Sequence, residues 1–252
     1  MPLLTLTLLF ILGAIIASFV GVVVARIHTG TSFLTGRSRC DACDATLPPL
    51  ALVPILSWTA SKGRAQCCGA RISLLSPLTE ALLGGLFMFT YIAVGLSTAL
   101  PFMLLSLSLL LALVLYDFSH QILPPALLYT FVGVSALAGF LAYPSDFSST
   151  LLSATLIGGS LAVLHFLSRG RAMGLADAPL AFGLSLLVGP AALSGFIFSF
   201  WIGAVIGIVL LLQRPVGSRM GVEVPFAPFL AAGFLLAYFT QWNPFTFIAA
   251  FL

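Results

Sequence analysis

Long apolar runs, separated by short polar segments, dominate the chain. The first run covers residues 3–25, which is long enough to cross the roughly 30 Å hydrocarbon core of a bilayer as a helix. Seven more runs follow, at residues 77–98, 100–116, 125–143, 149–167, 178–189, 191–212 and 225–241. The pattern predicts about eight transmembrane helices.

The stretch 178–212 is the one place where the number of helices is ambiguous. A single straight helix of this length would measure roughly 52 Å, which is too long for the bilayer core without strong tilt. Gly189 and Pro190 lie within it, and both residues disfavour a continuous helix. We therefore expect a short helix and a full one, separated near Gly189.

Composition supports an all-α integral membrane protein and excludes an ordinary soluble domain. Of 252 residues, 60% are hydrophobic and 7% are charged, and the mean hydropathy is +1.18. No basic residue precedes the first apolar run, and Arg26 follows it directly. This order favours a retained signal anchor over a cleaved signal peptide.

The basic residues provide an independent test of the topology. With eight helices, all ten fall on one side of the membrane, which the positive-inside rule identifies as cytoplasmic. They are Arg26, Arg37, Arg39, Lys62, Arg64, Arg71, Arg169, Arg171, Arg214 and Arg219. The net charge of +3 is explained by this topology and by anionic membrane lipid, so we expect no nucleic-acid partner. No internal repeat is evident by eye.

The only long polar segment, residues 26–76, contains all four cysteines. Cys40 and Cys43 have C-x-x-C spacing, and Cys67 and Cys68 are adjacent. In a reducing cytoplasm this pattern predicts a structural zinc site rather than disulfides. The expected ligands are Cys40, Cys43 and Cys68, with Cys67, a water or another residue as the fourth. The alternative is a small fold with free thiols and no metal.

Two aspartates, Asp117 and Asp177, stand at the ends of apolar runs and on the predicted cytoplasmic side. Ionisable groups at the membrane boundary are costly, which makes a functional site the default interpretation. Two close carboxylates share one proton, so one can deprotonate a water while the other donates to a scissile carbonyl. The pair is therefore the predicted catalytic site of an aspartic protease. Either residue could instead cap a helix at the interface.

Three other polar residues lie close to the apolar runs. Glu80, early in the second run, is expected to make a structural contact to the cysteine segment. His120 and His165 are interpreted as interfacial polar residues without a catalytic role.

At this point the chain resembles the type IV prepilin peptidases, which are membrane aspartic proteases. The resemblance covers nearly the whole length and is carried by motifs in the family's order. These motifs are Ser18–Val23 with Arg26, Arg39–Cys43, Val53–Trp58, Cys68–Glu80, Asp117 with Leu123 and Pro124, Gly174–Asp177, and Val224–Leu230.

The resemblance implies three parts: a first transmembrane helix (1–25), a cytoplasmic cysteine domain (26–76) and a membrane peptidase domain (77–252). It implies a multi-pass protein of the bacterial inner membrane with its active site facing the cytoplasm. The implied substrates are type IV prepilins or type II secretion pseudopilins, which lose a short basic leader. Many family members also methylate the new N-terminus with S-adenosylmethionine, an activity associated with the cysteine domain.

The chain departs from the family pattern at three places. Ala65 stands where the third cysteine is expected, Ala176 replaces the second glycine of the protease motif, and Ala178–Pro179 replaces the usual valine and lysine. Because a basic leader facing a basic loop is unfavourable, the leader is expected to contact Asp41, Asp44, lipid or the aspartate pair.

Two other functions are compatible with the same residues. The first is a non-catalytic membrane protein, either an assembly partner with a degenerate site or a carrier whose aspartates bind cations. The second is a protein whose principal activity is methyl transfer. Substitution of each aspartate by asparagine distinguishes these possibilities, because only a protease loses precursor cleavage while still binding the precursor.

Overall fold

The eight apolar runs all form helices in the computed structural model, which describes residues 2–27, 38–40, 42–171, 173–213 and 224–244. The helices are α1 (Pro2–Arg26), α2 (Leu56–Ala60), α3 (Leu75–Val94), α4 (Leu100–His120), α5 (Pro125–Ala142), α6 (Phe147–Leu167), α7 (Asp177–Val188), α8 (Ala192–Leu212) and α9 (Ala227–Thr240). Pairing between extended segments in these described residues is limited to two isolated bridges, so the fold is all-α as predicted. Arg37, Asp41, Arg214 and Arg219 lie outside the described residues.

Six stretches of the described chain are long and apolar enough to cross a membrane. The last of them, Asp177–Leu212, combines α7 and α8, and α9 is a shorter apolar helix. A 3₁₀ turn over Gly189–Ala191 separates α7 from α8, at the break that the sequence predicts. Gly189 has a φ of +62°, which a residue without a Cβ adopts at little cost.

The chain divides into two compact units, Met1–Gly95 and Leu96–Leu252. In the first unit α1 packs on α3, and the cysteine segment joins them. A Cβ added to Gly13 of α1 would lie 2.8 Å from Gly84 Cα of α3, so the two backbones approach closely. The boundary between the two compact units therefore lies just after α3. The boundary between a cysteine domain and a peptidase domain at residue 76 stays a prediction.

Helix α7 lies at the centre of the second unit, and almost all of its residues are buried. It packs on α5, α6 and α9. Gly183 of α7 faces Phe131 of α5, and Gly189 faces Tyr143 just after α5, so α5 and α7 run in the same direction. Gly158 of α6 faces the Ala178 carbonyl at the start of α7. Small residues thus allow α7 to sit among its neighbours.

Helices α8 and α9 form an antiparallel pair. Gly195 faces Phe234, and further along α8 the Ser199 hydroxyl donates to the Leu230 carbonyl at 3.3 Å. Helix α9 also contacts α4 and α7. Its N-terminus is thereby brought to the two helices that contain Asp117 and Asp177.

Candidate active site and metal centre

Asp117 lies near the C-terminal end of α4, with only 7% of its surface exposed. The helix continues to His120, so the aspartate is inside the helix rather than beyond its end. The backbone N–H of Ala227 donates to Asp117 Oδ2 at 3.2 Å. Ala227 is the first residue of α9, where backbone N–H groups lack helical partners. The carboxylate therefore lies at the positive end of a helix dipole.

Asp177 is the first residue of α7, whereas the sequence placed it in the preceding loop. Its side chain is 8% exposed and accepts a hydrogen bond from the Gly174 backbone N–H. The departures from the family motif fit this geometry. Ala176 has an ordinary right-handed φ of −69°, which alanine adopts without strain. Pro179 lies in the first turn, where a missing N–H costs little.

The two aspartates both lie in the second unit. They are close enough for the charge of Asp117 to influence the Asp177 carboxyl electrostatically. Both carboxyls are buried; Asp117 accepts the N–H of Ala227 at the start of α9, and Asp177 interacts with the N–H of Gly174 in the loop before α7. The remaining lone pairs of each carboxyl are available to a water or a peptide group. Such a pair can take a proton from a bound water and donate one to a peptide group, which is the chemistry of acid and base catalysis.

His165, to which the sequence gave no role, lies in the last turn of α6 and contacts the loop that leads into Asp177. Its Nδ1 lies 2.8 Å from the Met173 carbonyl oxygen. Its own carbonyl accepts the Gly170 N–H at 2.9 Å, and a Cβ on Gly170 would lie 3.3 Å from the imidazole Cε1. Sequence reasoning missed this contact because it depends on a chain reversal whose geometry is set by left-handed residues at Arg169 and Gly170.

The four cysteines converge in the first unit. Their Sγ atoms all lie within 4.8 Å of one another, and all four thiols are free. The sulfur separations are 3.7 Å for Cys40 and Cys68, 3.4 Å for Cys43 and Cys67, and 3.9 Å for Cys67 and Cys68. Tetrahedral zinc with Zn–S bonds of about 2.3 Å requires separations of roughly 3.8 Å. The thiols therefore fit a four-coordinate metal ion.

Two similar turns supply these thiols. In the first, the Cys40 N–H donates to the Ala45 carbonyl and the Asp44 N–H donates to the Cys40 carbonyl. The backbones of Arg39 and Thr46 pair as an isolated antiparallel β-bridge. In the second, the Ala65 N–H donates to the Ala70 carbonyl and the Gly69 N–H donates to the Ala65 carbonyl. The backbones of Arg64 and Arg71 form the corresponding β-bridge. Ala65 thus occupies the position of Cys40. The structure reveals a repeat that inspection of the sequence did not detect.

Because Ala65 has no thiol, the second turn contributes Cys67 from a different position. Cys67 is adjacent to Cys68, yet both sulfurs reach the cluster. In the first turn the backbone N–H groups of Ala42 and Cys43 lower the pKa of the Cys40 thiol to about 7. Such a thiol is readily deprotonated, as a metal ligand must be.

Glu80 makes the expected contact between α3 and the cysteine segment. Its carboxylate, which is 5% exposed, accepts the Ile55 backbone N–H at 2.7 Å. Ile55 has a φ of +60°, which is rare for a β-branched residue, and the Leu56 N–H donates to the Pro54 carbonyl across it. Glu80 therefore stabilises a tight turn within the first unit.

Asp44, one of the two acidic residues predicted to contact a substrate leader, lies in the first cysteine turn. Asp44 forms an ion pair with Arg39 at 2.8 Å, and both side chains are largely exposed. Asp41 is not among the described residues.

The fold and the two sites define a class: an α-helical, multi-pass membrane protein with a buried aspartate pair and a four-thiol cluster in an extramembrane segment. Residues 11–94 match the bacterial peptidase A24 N-terminal domain, and residues 104–212 match the type IV leader peptidase family. The chain belongs to the type IV leader peptidase family, as its motifs predicted.

Related proteins match most of the chain. It is 33% identical over 234 residues to a prepilin leader peptidase/N-methyltransferase of Bacillus subtilis, covering 92% of this chain and 93% of that protein. It is 35% identical over 213 residues to a protein of the same description from Myxococcus xanthus, covering 81% of this chain and 62% of that protein. A type 4 prepilin-like proteins leader peptide-processing enzyme of Escherichia coli is 27% identical, with 91% of each chain covered. No solved structure gives a significant match.

Proposed function

We propose that this protein is a membrane aspartic endopeptidase that removes the leader peptide from type IV prepilins or related pseudopilins. Membership of the leader peptidase family and the names of its relatives support this substrate class. The observation that carries the catalytic assignment is the buried, interacting pair Asp117 and Asp177. We place the enzyme in the bacterial inner membrane, with the pair accessible from the cytoplasm, because the positive-inside rule puts both residues on that side.

In the proposed reaction one aspartate is ionised and the other is protonated. The ionised carboxylate takes a proton from water as the water oxygen attacks the scissile carbonyl carbon, and the protonated carboxyl donates to the carbonyl oxygen. Collapse of the tetrahedral intermediate breaks the C–N bond: the carboxyl that took the proton from water gives it to the departing nitrogen, and the hydroxyl of the intermediate returns its proton to the other carboxylate. The Ala227 and Gly174 N–H groups hold the carboxylates in place during this exchange.

We further propose that Cys40, Cys43, Cys67 and Cys68 hold a zinc ion. Closed four-thiolate sites are structural, so the ion would stabilise a segment that is too small to bury much core. Because relatives are named as N-methyltransferases, methylation of the new N-terminal amine with S-adenosylmethionine is proposed as a second activity. The aspartate pair has no part in that transfer.

The test of the protease function is cleavage of a prepilin by the purified protein in liposomes. Asp117→Asn and Asp177→Asn should each lower turnover by at least about 10³-fold while precursor binding is retained. Asp146→Asn is the matched control, because Asp146 is exposed at the start of α6, away from the pair. Cleavage that survives either active-site substitution would contradict the assignment, and failure of the unmodified protein to cleave several prepilins would favour a non-catalytic function.

A further inference from the structure

We propose that His165 is a positioning residue for Asp177, acting through the peptide group that joins Met173 to Gly174. The inference rests on the proposed catalytic role of Asp177. It adds a residue from the end of α6 to a site otherwise built from α4, α7 and α9.

The geometry of one peptide group carries the inference. The Met173 carbonyl oxygen lies 2.8 Å from His165 Nδ1. The other end of the same planar group, at Gly174, lies against the Asp177 carboxyl: a Cβ added to Gly174 would lie 3.4 Å from Asp177 Oδ2, and the Gly174 N–H acts on that carboxyl. Imidazole, peptide and carboxyl therefore form one continuous series of polar contacts. Because the peptide is planar, holding its carbonyl also fixes the direction of its N–H.

The shape of the surrounding loop explains why the contact between His165 and the Met173 carbonyl matters. Between α6 and α7 the chain reverses through two successive left-handed residues, Arg169 and Gly170. The imidazole lies against Gly170 on one side and bonds to Met173 on the other, so it spans the reversal. Without the imidazole donor, the Met173–Gly174 peptide can rotate about its flanking bonds. Such a rotation turns the Gly174 N–H away from Asp177.

The chemistry required of His165 is simple. A carbonyl oxygen only accepts hydrogen bonds, so Nδ1 must carry the hydrogen. An asparagine amide nitrogen occupies nearly the same place as Nδ1 and also donates. A glutamine amide extends one methylene further, toward the place of Nε2. Asparagine should therefore replace histidine in this role, whereas leucine and glutamine should not.

The experiment is steady-state cleavage of a prepilin by the full-length protein in liposomes, comparing His165→Leu, His165→Asn and His165→Gln. We expect His165→Leu to lower kcat by about tenfold to a hundredfold with little change in KM, because the contact it indirectly removes orients a catalytic carboxyl. His165→Asn should restore most of kcat. Phe166→Leu is the control: this neighbouring side chain is exposed and meets the imidazole ring edge to face. It has no hydrogen-bond donor to offer the Met173 carbonyl, so the substitution should leave kcat unchanged.

Several results would overturn the inference. One is an unchanged kcat in His165→Leu while Asp177→Asn is inactive, which leaves the protease function intact. Another is an equal loss in the leucine and asparagine variants, which would show that a donor at Nδ1 is not what matters. If His165→Leu does not fold, the asparagine and glutamine variants decide, and equal activity in those two contradicts the proposal. Cleavage by Asp177→Asn would instead refute the proposed function itself.

Discussion

Replacing Cys67 by alanine tests whether an unconventional fourth thiol completes the metal site. Zinc binding by structural sites contributes about 10–16 kcal/mol in total. Shared over four ligands, this is roughly 3 kcal/mol for each thiolate, or about a hundredfold in affinity. We expect Cys67→Ala to weaken zinc binding by about that factor, as measured by competition with a chromogenic chelator, with metal content checked by mass spectrometry.

The equivalence of the two cysteine turns provides a rescue for this variant. Ala65 is buried at the position that Cys40 occupies in the first turn. The double variant Ala65→Cys, Cys67→Ala should therefore present a thiol from the regular position and recover most of the affinity. An unchanged affinity in Cys67→Ala would show that Cys67 is not a ligand. A double variant that binds no better than Cys67→Ala would refute the equivalence of the turns.

Two further predictions concern stability. A Cβ added to Gly195 would lie 2.7 Å from Phe234 Cα, so Gly195→Leu should cost about 1–3 kcal/mol of stability and lower the melting temperature in detergent. Gly207→Leu on the same helix is the control, because a Cβ at Gly207 would meet no atom within 4 Å. Glu80→Ala removes the acceptor of the Ile55 N–H and should cost about 1–3 kcal/mol locally, seen as faster amide exchange over residues 53–60. Glu80→Gln keeps an acceptor oxygen, so fast exchange in that variant as well would count against the hydrogen bond as the cause.

The helices were predictable because membrane-spanning sequences carry a strong local signal. Each apolar run corresponds to a helix, and the conflict between length and bilayer thickness located the break near Gly189. The exact ends of the helices were harder to predict. α4 continues past residue 116 to His120, and α7 begins at Asp177 itself, because polar residues in a terminal turn look like loop in a hydropathy pattern.

The partners of the site residues could not be predicted. The donor to Asp117 is a backbone N–H of α9. Nearly every residue has such a group, so the sequence does not indicate which one will be the donor. The His165 contact depends on the exact path of a short loop. Likewise, the sequence showed Ala65 where a third cysteine is expected, but the shared backbone shape of the two cysteine turns is evident only from their hydrogen bonds.

The hydrogen bond between Ala227 and Asp117 joins groups that are 110 residues apart in the chain. Because α4 and α7 precede α9 in the chain, they are synthesised before it. Until then a nascent chain holds both aspartates but lacks the donor that orients the first of them. Assembly of the active site is thus coupled to insertion of α9, so that a partly inserted polypeptide carries an unfinished protease.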